Sequence, residues 1–416
     1  MVNISSHRLG NGLKVLVHED RSSPLVAMNI LYKVGSRDED PGRTGLAHLF
    51  EHLMFGGSLN IPEYDLPLQL AGGDNNAFTN NDITNYYITV PAKNIETGFW
   101  LESDRMFELD FSQKNLEIQK SVVIQEFKQR YLNQPYGDAM LNLRPLAYKL
   151  HPYRWATIGM DISHIQNVGL SEVKEFFFSH YAPNNAILSL TGNITPERGF
   201  NLAEKWFGPI PYRNIKDSVY TDEPEQISER ILTIEKDVPS DALYKAWHTC
   251  SRGSEDFHAL DVATDLLAAG ESSRLYTNLV KKQNLFSEIN AYLTSEADPG
   301  LLVLYGRLMK DIDIETADRA VNEIIDSLKN GSLDNREIEK VRNKFESSTV
   351  LANTSILNKA ISISFYEMLG SADLINREVE NYCTAGKSEI VNATRKYLTK
   401  ENCSTLYYLS SRKNQG

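Results

Sequence analysis

Apolar residues in this chain fall into two rhythms, short β-branched runs and three-to-four-residue periods, and the two follow each other in the same order twice. In the first pass, strand-like runs cover residues 12–17 and 25–34, the former opened by the Asn11-Gly12 turn signal. A charged loop at 35–43 leads into a short amphipathic helix beginning near Leu46, with Thr44 as its expected N-cap and Gly56-Gly57 as its stop. A second helix starts at 61 and ends near Gly72-Gly73, and residues 75–90 read as strand. Helical periods then cover 95–107 and 112–132, and after Pro135 and Gly137 another covers 138–150. A short helix around Glu172, a buried strand at 185–190 and a helix at 196–206 close this half.

Residues 213–228 are polar and acidic, centred on Asp222-Glu223-Pro224-Glu225, and read as a linker. The order then restarts: strands at 229–235 and 241–248, a helix at 257–269 ended by Gly270, a helical piece at 279–282 and a strand at 301–308. Helices at 313–329 and 335–351 and a strand at 403–409 follow. The repetition predicts a duplicated α+β unit, with domains at 1–212 and 229–416, each a mostly antiparallel sheet with helices packed on it. A length of 416 residues, beyond one ordinary core, agrees with two domains.

Composition adds exclusions. A net charge of −12 argues against a phosphate-binding surface and against docking on anionic membrane. The three cysteines, Cys250, Cys383 and Cys403, form no C-x-x-C pair, so they read as reduced structural thiols. Neither an N-terminal apolar h-region nor a run of about 18 apolar residues occurs. The expectation is a soluble, cytoplasmic chain with no nucleic-acid and no membrane partner.

The chemistry concentrates in Gly45-Leu46-Ala47-His48-Leu49-Phe50-Glu51-His52-Leu53-Met54-Phe55-Gly56-Gly57. On a helix, His48 and His52 lie one turn apart with Glu51 on their side, while Leu46, Leu49, Phe50 and Leu53 gather opposite. Imidazoles so spaced suit zinc, and a neighbouring carboxylate can serve as general base towards a metal-activated water. The order H-x-x-E-H is the inverted zincin motif. The bland alternative is a polar helix face with two surface histidines. Two histidines leave zinc short of a protein ligand, and spacing leaves Glu63, Glu96, Glu102, Glu108, Glu117 and Glu126 all open.

The motif and its surroundings resemble the inverted-zincin peptidases, the family of insulysin, pitrilysin and the mitochondrial processing peptidase. There a glutamate seventy-odd residues after the second histidine completes the site, in a helix reading roughly E-x-x-V-V-x-x-E. Ser121-Val122-Val123-Ile124-Gln125-Glu126 fits, so the resemblance implies Glu126 as third ligand, with Gln119 where the family carries an earlier acid. Gly72 to Thr79 and Asp82 to Tyr87 resemble the family's edge strand, which implies that Asn76 and Ala77 hold the substrate backbone by strand addition. The fold implied is half of a clamshell. Ser272-Ser273-Arg274-Leu275 resembles a family segment, but the arginine, glycine and tyrosine that should follow are replaced by Val280, Asn284 and Ser287. Superimposing the halves sets Val262, Asp265 and Leu266 on His48, Glu51 and His52, so one half would carry metal and the other none.

The expected function is a Zn²⁺-dependent endopeptidase acting on peptides or unfolded polypeptides in a closed chamber. Glu51 would be its catalytic base. A homologous second subunit would supply the missing Arg/Tyr pair, or the chain would work as a homodimer. The rival expectation is a catalytically silent scaffold subunit of the same fold.

Overall fold

The computed structural model describes residues 1–215 and 220–411; residues 216–219, inside the expected linker, lie outside the described residues. The strands among the described residues form two sheets. The first contains β1 (Ser5–Arg8), β2 (Lys14–Glu19), β3 (Leu25–Tyr32), β4 (Asp74–Thr79), β5 (Thr84–Pro91) and β6 (Ala186–Gly192), in the order β1-β2-β6-β3-β5-β4. The second contains β7 (Arg230–Lys236), β8 (Ala242–His248), β9 (Phe286–Leu293), β10 (Leu301–Leu308) and β11 (Cys403–Ser410), in the order β7-β11-β8-β10-β9. With β1 set aside the two orders coincide, down to the pairing directions. The last strand of each half slots parallel to its first strand and antiparallel to its second. The fold is α+β with two similar halves.

The stretch expected as one strand at 75–90 is a hairpin. Asn80 Oδ1 accepts from the backbone N–H groups of Asp82 and Ile83, a side-chain-built turn that separates β4 from β5. It leaves β4 at the edge of its sheet. The expected 112–132 helix is α-helical over Gln113–Phe127 and continues as a π-turn over Lys128–Leu132.

The chain forms two compact units, and neither is one continuous stretch. Unit 1 comprises Met1–Phe127, Trp155–Tyr220 and Thr349–Glu378; unit 2 comprises Lys128–Arg154, Thr221–Ser348 and Val379–Gly416. Two segments therefore belong to the unit opposite to their place in the sequence. In unit 1, helix Ile356–Met368 lays Ile356 and Ala360 on Ala27 of β3 and Ile363 near Leu31. Ser364 meets the buried Asn29 and Ser189, and Lys359 pairs with Asp20. In unit 2, helix Ala139–Ala147 packs Ala139, Leu143 and Ala147 against Ala242, Tyr244 and Leu406. Each sheet is thus covered on one face by a helix from the other half of the sequence, and its central strands, β3 and β6 in the first and β8 in the second, are buried on both faces.

The acidic run is no free tether. Within unit 2 the Glu223 carboxylate accepts from the backbone N–H groups of Lys149, Leu150 and His151 at 2.7–3.0 Å. Those bonds hold its pKa below the usual carboxylate range against the opposing effect of partial burial. No helix among the described residues is long and apolar enough to cross a membrane.

Candidate metal centre

The motif helix spans Leu46–Leu53 and lies in unit 1. Its apolar side is the one expected: Leu46, Ala47, Leu49, Phe50 and Leu53 are buried, and Phe50 stacks on Tyr181 with ring centroids 5.1 Å apart. Its start differs from expectation. The N-cap is Gly45, at φ 90°, and a Cβ there would stand 2.7 Å from the carbonyl oxygen of Ile158. Thr44 is turned away: its Oγ1 accepts from the N–H of Met160 and contacts His164 Nδ1 at 2.8 Å.

The helix's first N–H groups go instead to Glu39, whose carboxylate accepts from Gly45 and Ala47 at 2.9 and 2.8 Å. Burial pushes the Glu39 pKa up to about 8, while these two bonds act in the opposite direction. A helix N-terminus is a favourable place for such a group.

His48, His52 and Glu126 converge. The imidazole centroids lie 4.9 Å apart with ring planes at 89°. Glu126 Oε2 stands 3.7 Å from His48 Nε2 and 3.5 Å from His52 Nε2, and a ligand atom from each of the three falls within 4.8 Å of the others. Ligands about 2 Å from a tetrahedral zinc stand roughly 3.3 Å from one another. The separations are therefore those of a cradle that could hold one such ion. The three side chains are 13–24% exposed, sheltered yet open to a small molecule.

The other glutamates left open by spacing are engaged elsewhere or exposed. Glu102 is buried in a bidentate pair with Arg105, Glu96 takes Lys205 and the Trp206 indole, Glu117 takes Lys120 and Gln113, and Glu63 faces solvent. Glu108 lies beyond the end of helix Ile95–Phe107 and is not among the three converging groups. Gln119 sits half-buried on the helix that carries Glu126, two turns before it.

Glu51 is held in place. Thr79 Oγ1, on β4, donates to Glu51 Oε2 at 2.6 Å. Strand alternation puts Ala77 on the face of Thr79 and Asn76 on the opposite one. Asn76 is exposed and its Oδ1 accepts from the N–H of Ala77 at 2.8 Å. Neither Thr79 nor Glu39 was singled out from sequence. For Thr79 the period of two from Ala77 was the available signal; for Glu39 there was none.

The second half has no such cluster among the described residues. Val262 and Leu266 are core residues, and Asp265 pairs with Lys344. Arg274 forks onto Glu337 and reaches Ser327 and Ser332, a scaffold role. Val280 packs against the core and Ser287 Oγ donates to Arg307 O. Asn284, aligned on the family's glycine, has φ 53°, a left-handed conformation that Gly takes freely and Asn tolerates.

A duplicated α+β unit with an H-x-x-E-H helix and a distant glutamate brought to it defines a class of metallopeptidase-like protein. Residues 14–154 match the model of "Insulinase (Peptidase family M16)" and residues 167–345 match "Peptidase M16 inactive domain". The chain belongs to this insulinase family. It is 30% identical to the zinc protease PqqE of Helicobacter pylori over 80% of this chain and 76% of the relative. It is 23% identical to the mitochondrial-processing peptidase subunit beta of Saccharomyces cerevisiae, over 83% and 78% of the two chains. Among solved structures, a protease from Helicobacter pylori superimposes with a TM-score of 0.93 at 26% identity, covering 98% of this chain and all of the other.

Proposed function

We propose that this chain is the zinc-bearing subunit of an endopeptidase that hydrolyses peptides or unfolded polypeptides. The convergence of His48, His52 and Glu126 beside a carboxylate fixed by Thr79 supports the reading. His48, His52 and Glu126 would hold Zn²⁺. When bound, that ion supplies a Lewis acid that polarises the scissile carbonyl and acidifies water. Glu51 accepts the proton of the attacking water on its carboxylate and hands it to the leaving amine. Thr79 keeps that carboxylate oriented. The substrate backbone lies extended along the open edge of β4, with the N–H of Ala77 and the side chain of Asn76 as its partners; the Asn76–Ala77 bond yields when the substrate pairs.

A homologous second chain brings the arginine and tyrosine for which Val280 and Ser287 cannot substitute; in the alternative, a second copy of this chain completes the site with other donors. That a relative is named a subunit supports the pairing. The same two replacements favour a second reading, a scaffold without turnover.

Cleavage of an unstructured quenched peptide by the zinc-loaded chain, alone and with candidate partners, separates these readings. Turnover that disappears in Glu51→Gln with metal retained supports the peptidase. Silence with every partner supports the scaffold.

A further inference from the structure

Glu51 lies on the motif helix and its donor Thr79 on β4, so their alignment depends on how firmly that strand is set against that helix. As an edge strand, β4 is paired on one side only, and its own ladder fixes it less than a central strand is fixed. The residues next to Thr79 add a second hold. Ser36 N–H donates to Asn80 O at 3.1 Å and Arg37 N–H to Asn81 O at 2.9 Å, fastening the β4–β5 turn to the loop ahead of the motif helix. The Ser36 hydroxyl donates to Asn81 Oδ1 at 3.2 Å, and the Arg37 guanidinium pairs with the Asp82 carboxylate at 2.9 Å. Gly35 lets the two loops touch, since a Cβ there would stand 2.4 Å from the Asn81 carbonyl. Ser36, Asn81 and Asp82 are 1%, 4% and 4% exposed, unusual burial for loop residues.

From the same loop, Glu39 takes the N–H groups of Gly45 and Ala47 at the helix start. Helix, loop, turn and strand therefore close a ring. It runs from Glu51 through Thr79 to Asp82, across to Arg37, and through Glu39 back to the helix that carries Glu51.

The second half separates what the fold needs from what the site needs. Arg252 N–H donates to Glu296 O at 2.9 Å, so the backbone contact between loop and turn recurs there. The two ends of the ring do not recur. Helix Phe257–Ala268 begins at Asp256, whose carboxylate takes Lys396 and Tyr397 and gives the helix no cap. Asp265, in the place of Glu51, pairs with Lys344 of helix Asn335–Ala352 and not with the edge strand β9. The links into the helix start and onto the carboxylate belong to the half that carries the motif.

Resting on the reading of Glu51 as general base, we infer that Arg37 and Asp82 are positioning residues for it. Their pair clamps the turn end of β4 and so holds Thr79, and through it Glu51, where the carboxylate takes the proton. A misplacement of about 1 Å costs about 100-fold in rate, so even slight loosening at the turn registers in kcat.

The test uses the zinc-loaded full chain, with its partner chain if one is needed for turnover, and one quenched peptide. Arg37→Gln and Asp82→Asn should each lower kcat by about 10-fold or more, with KM little changed and zinc content unchanged. Arg37→Lys keeps the cation and should recover most of the loss. Asp20→Asn breaks another ion pair of unit 1, the one to Lys359, and should leave kcat intact at a temperature where every variant is folded. The double variant Asp82→Asn/Thr79→Val distinguishes positioning from general damage. Acting through Thr79, the clamp has nothing left to position once that hydroxyl is gone, so kcat should fall hardly below that of Thr79→Val; independent effects multiply. Multiplying effects, no recovery in Arg37→Lys, or full activity in both single variants overturns the inference.

Amide hydrogen exchange of the same zinc-loaded proteins, read by mass spectrometry, tests the ring without turnover. Asp82→Asn should speed exchange in β4 and also at the start of the motif helix, and Asp20→Asn should do neither. Faster exchange at both places, with no cleavage by wild type, upholds the clamp and removes the peptidase. A helix start that exchanges as in wild type breaks the ring and overturns the inference itself.

Discussion

Thr79→Val removes one hydroxyl and almost no volume, so it isolates the 2.6 Å bond that fixes Glu51. A hydrogen bond to a charged group is worth about 1.5–3 kcal/mol. At about 1.36 kcal/mol per tenfold in rate, full loss of that positioning lowers kcat by about 10- to 150-fold. The metal should stay, because Thr79 touches none of His48, His52 or Glu126 in the bonds it makes. Thr79→Ser keeps a donor and should recover most of the rate. The assay is steady-state cleavage of a quenched peptide by wild type and both variants, alongside zinc content and thermal melting. The expected pattern is a fall in kcat for valine, a small change in KM, recovery for serine, and equal zinc in all three. Full activity in a zinc-replete Thr79→Val protein would show that Glu51 needs no support from β4. Loss of zinc together with activity would make Thr79 part of the metal cradle.

Glu126→Ala and His52→Ala each leave two of the three proposed ligands, and bound zinc measured after dialysis should drop sharply while far-UV circular dichroism holds; a zinc-replete Glu126→Ala would reject Glu126 as the third ligand. Glu39→Ala strands the N–H groups of Gly45 and Ala47, at about 1–3 kcal/mol for a buried unsatisfied donor. Calorimetry should show the melting point of unit 1 falling by about 2–4 °C per kcal/mol for a unit of this size. Asp20 is held below the usual carboxylate range, first by its bond to Lys359 and then by Ser22. A depressed carboxylate adds stability above its unfolded pKa of about 3.9 that disappears as pH falls through and below it. Asp20→Asn should therefore lower the melting point at pH 7 and flatten its dependence on pH below about 4; an unchanged acid profile would remove Asp20–Lys359 from the acid response.

Much of the site was legible because it is local. Two histidines four apart and a glutamate between them need only a helix, and the apolar stripe of Leu46, Leu49, Phe50 and Leu53 supplied the helix and its orientation. The hairpin at 74–91 was harder, since its turn is made by the Asn80 side chain rather than by glycine or proline. Thr44 illustrates the limit of propensity. A residue well suited to cap the helix is bonded to Met160 and His164 instead, because a buried glutamate several residues upstream already satisfies the helix start.

By itself the sequence determined the rhythm of strands and helices, the duplication, and the face of one helix that carries His48, Glu51 and His52. Spacing left six glutamates open, and only resemblance singled out Glu126. Tertiary structure decided the remainder: that Glu126 reaches both imidazoles, that Thr79 holds Glu51, and that helices Ile356–Met368 and Ala139–Ala147 cover sheets built from the other half of the chain. The reason is physical. Periodicity records which side of an element is apolar, whereas the identity of the surface that covers it depends on contacts between residues far apart in sequence, which leave no local pattern.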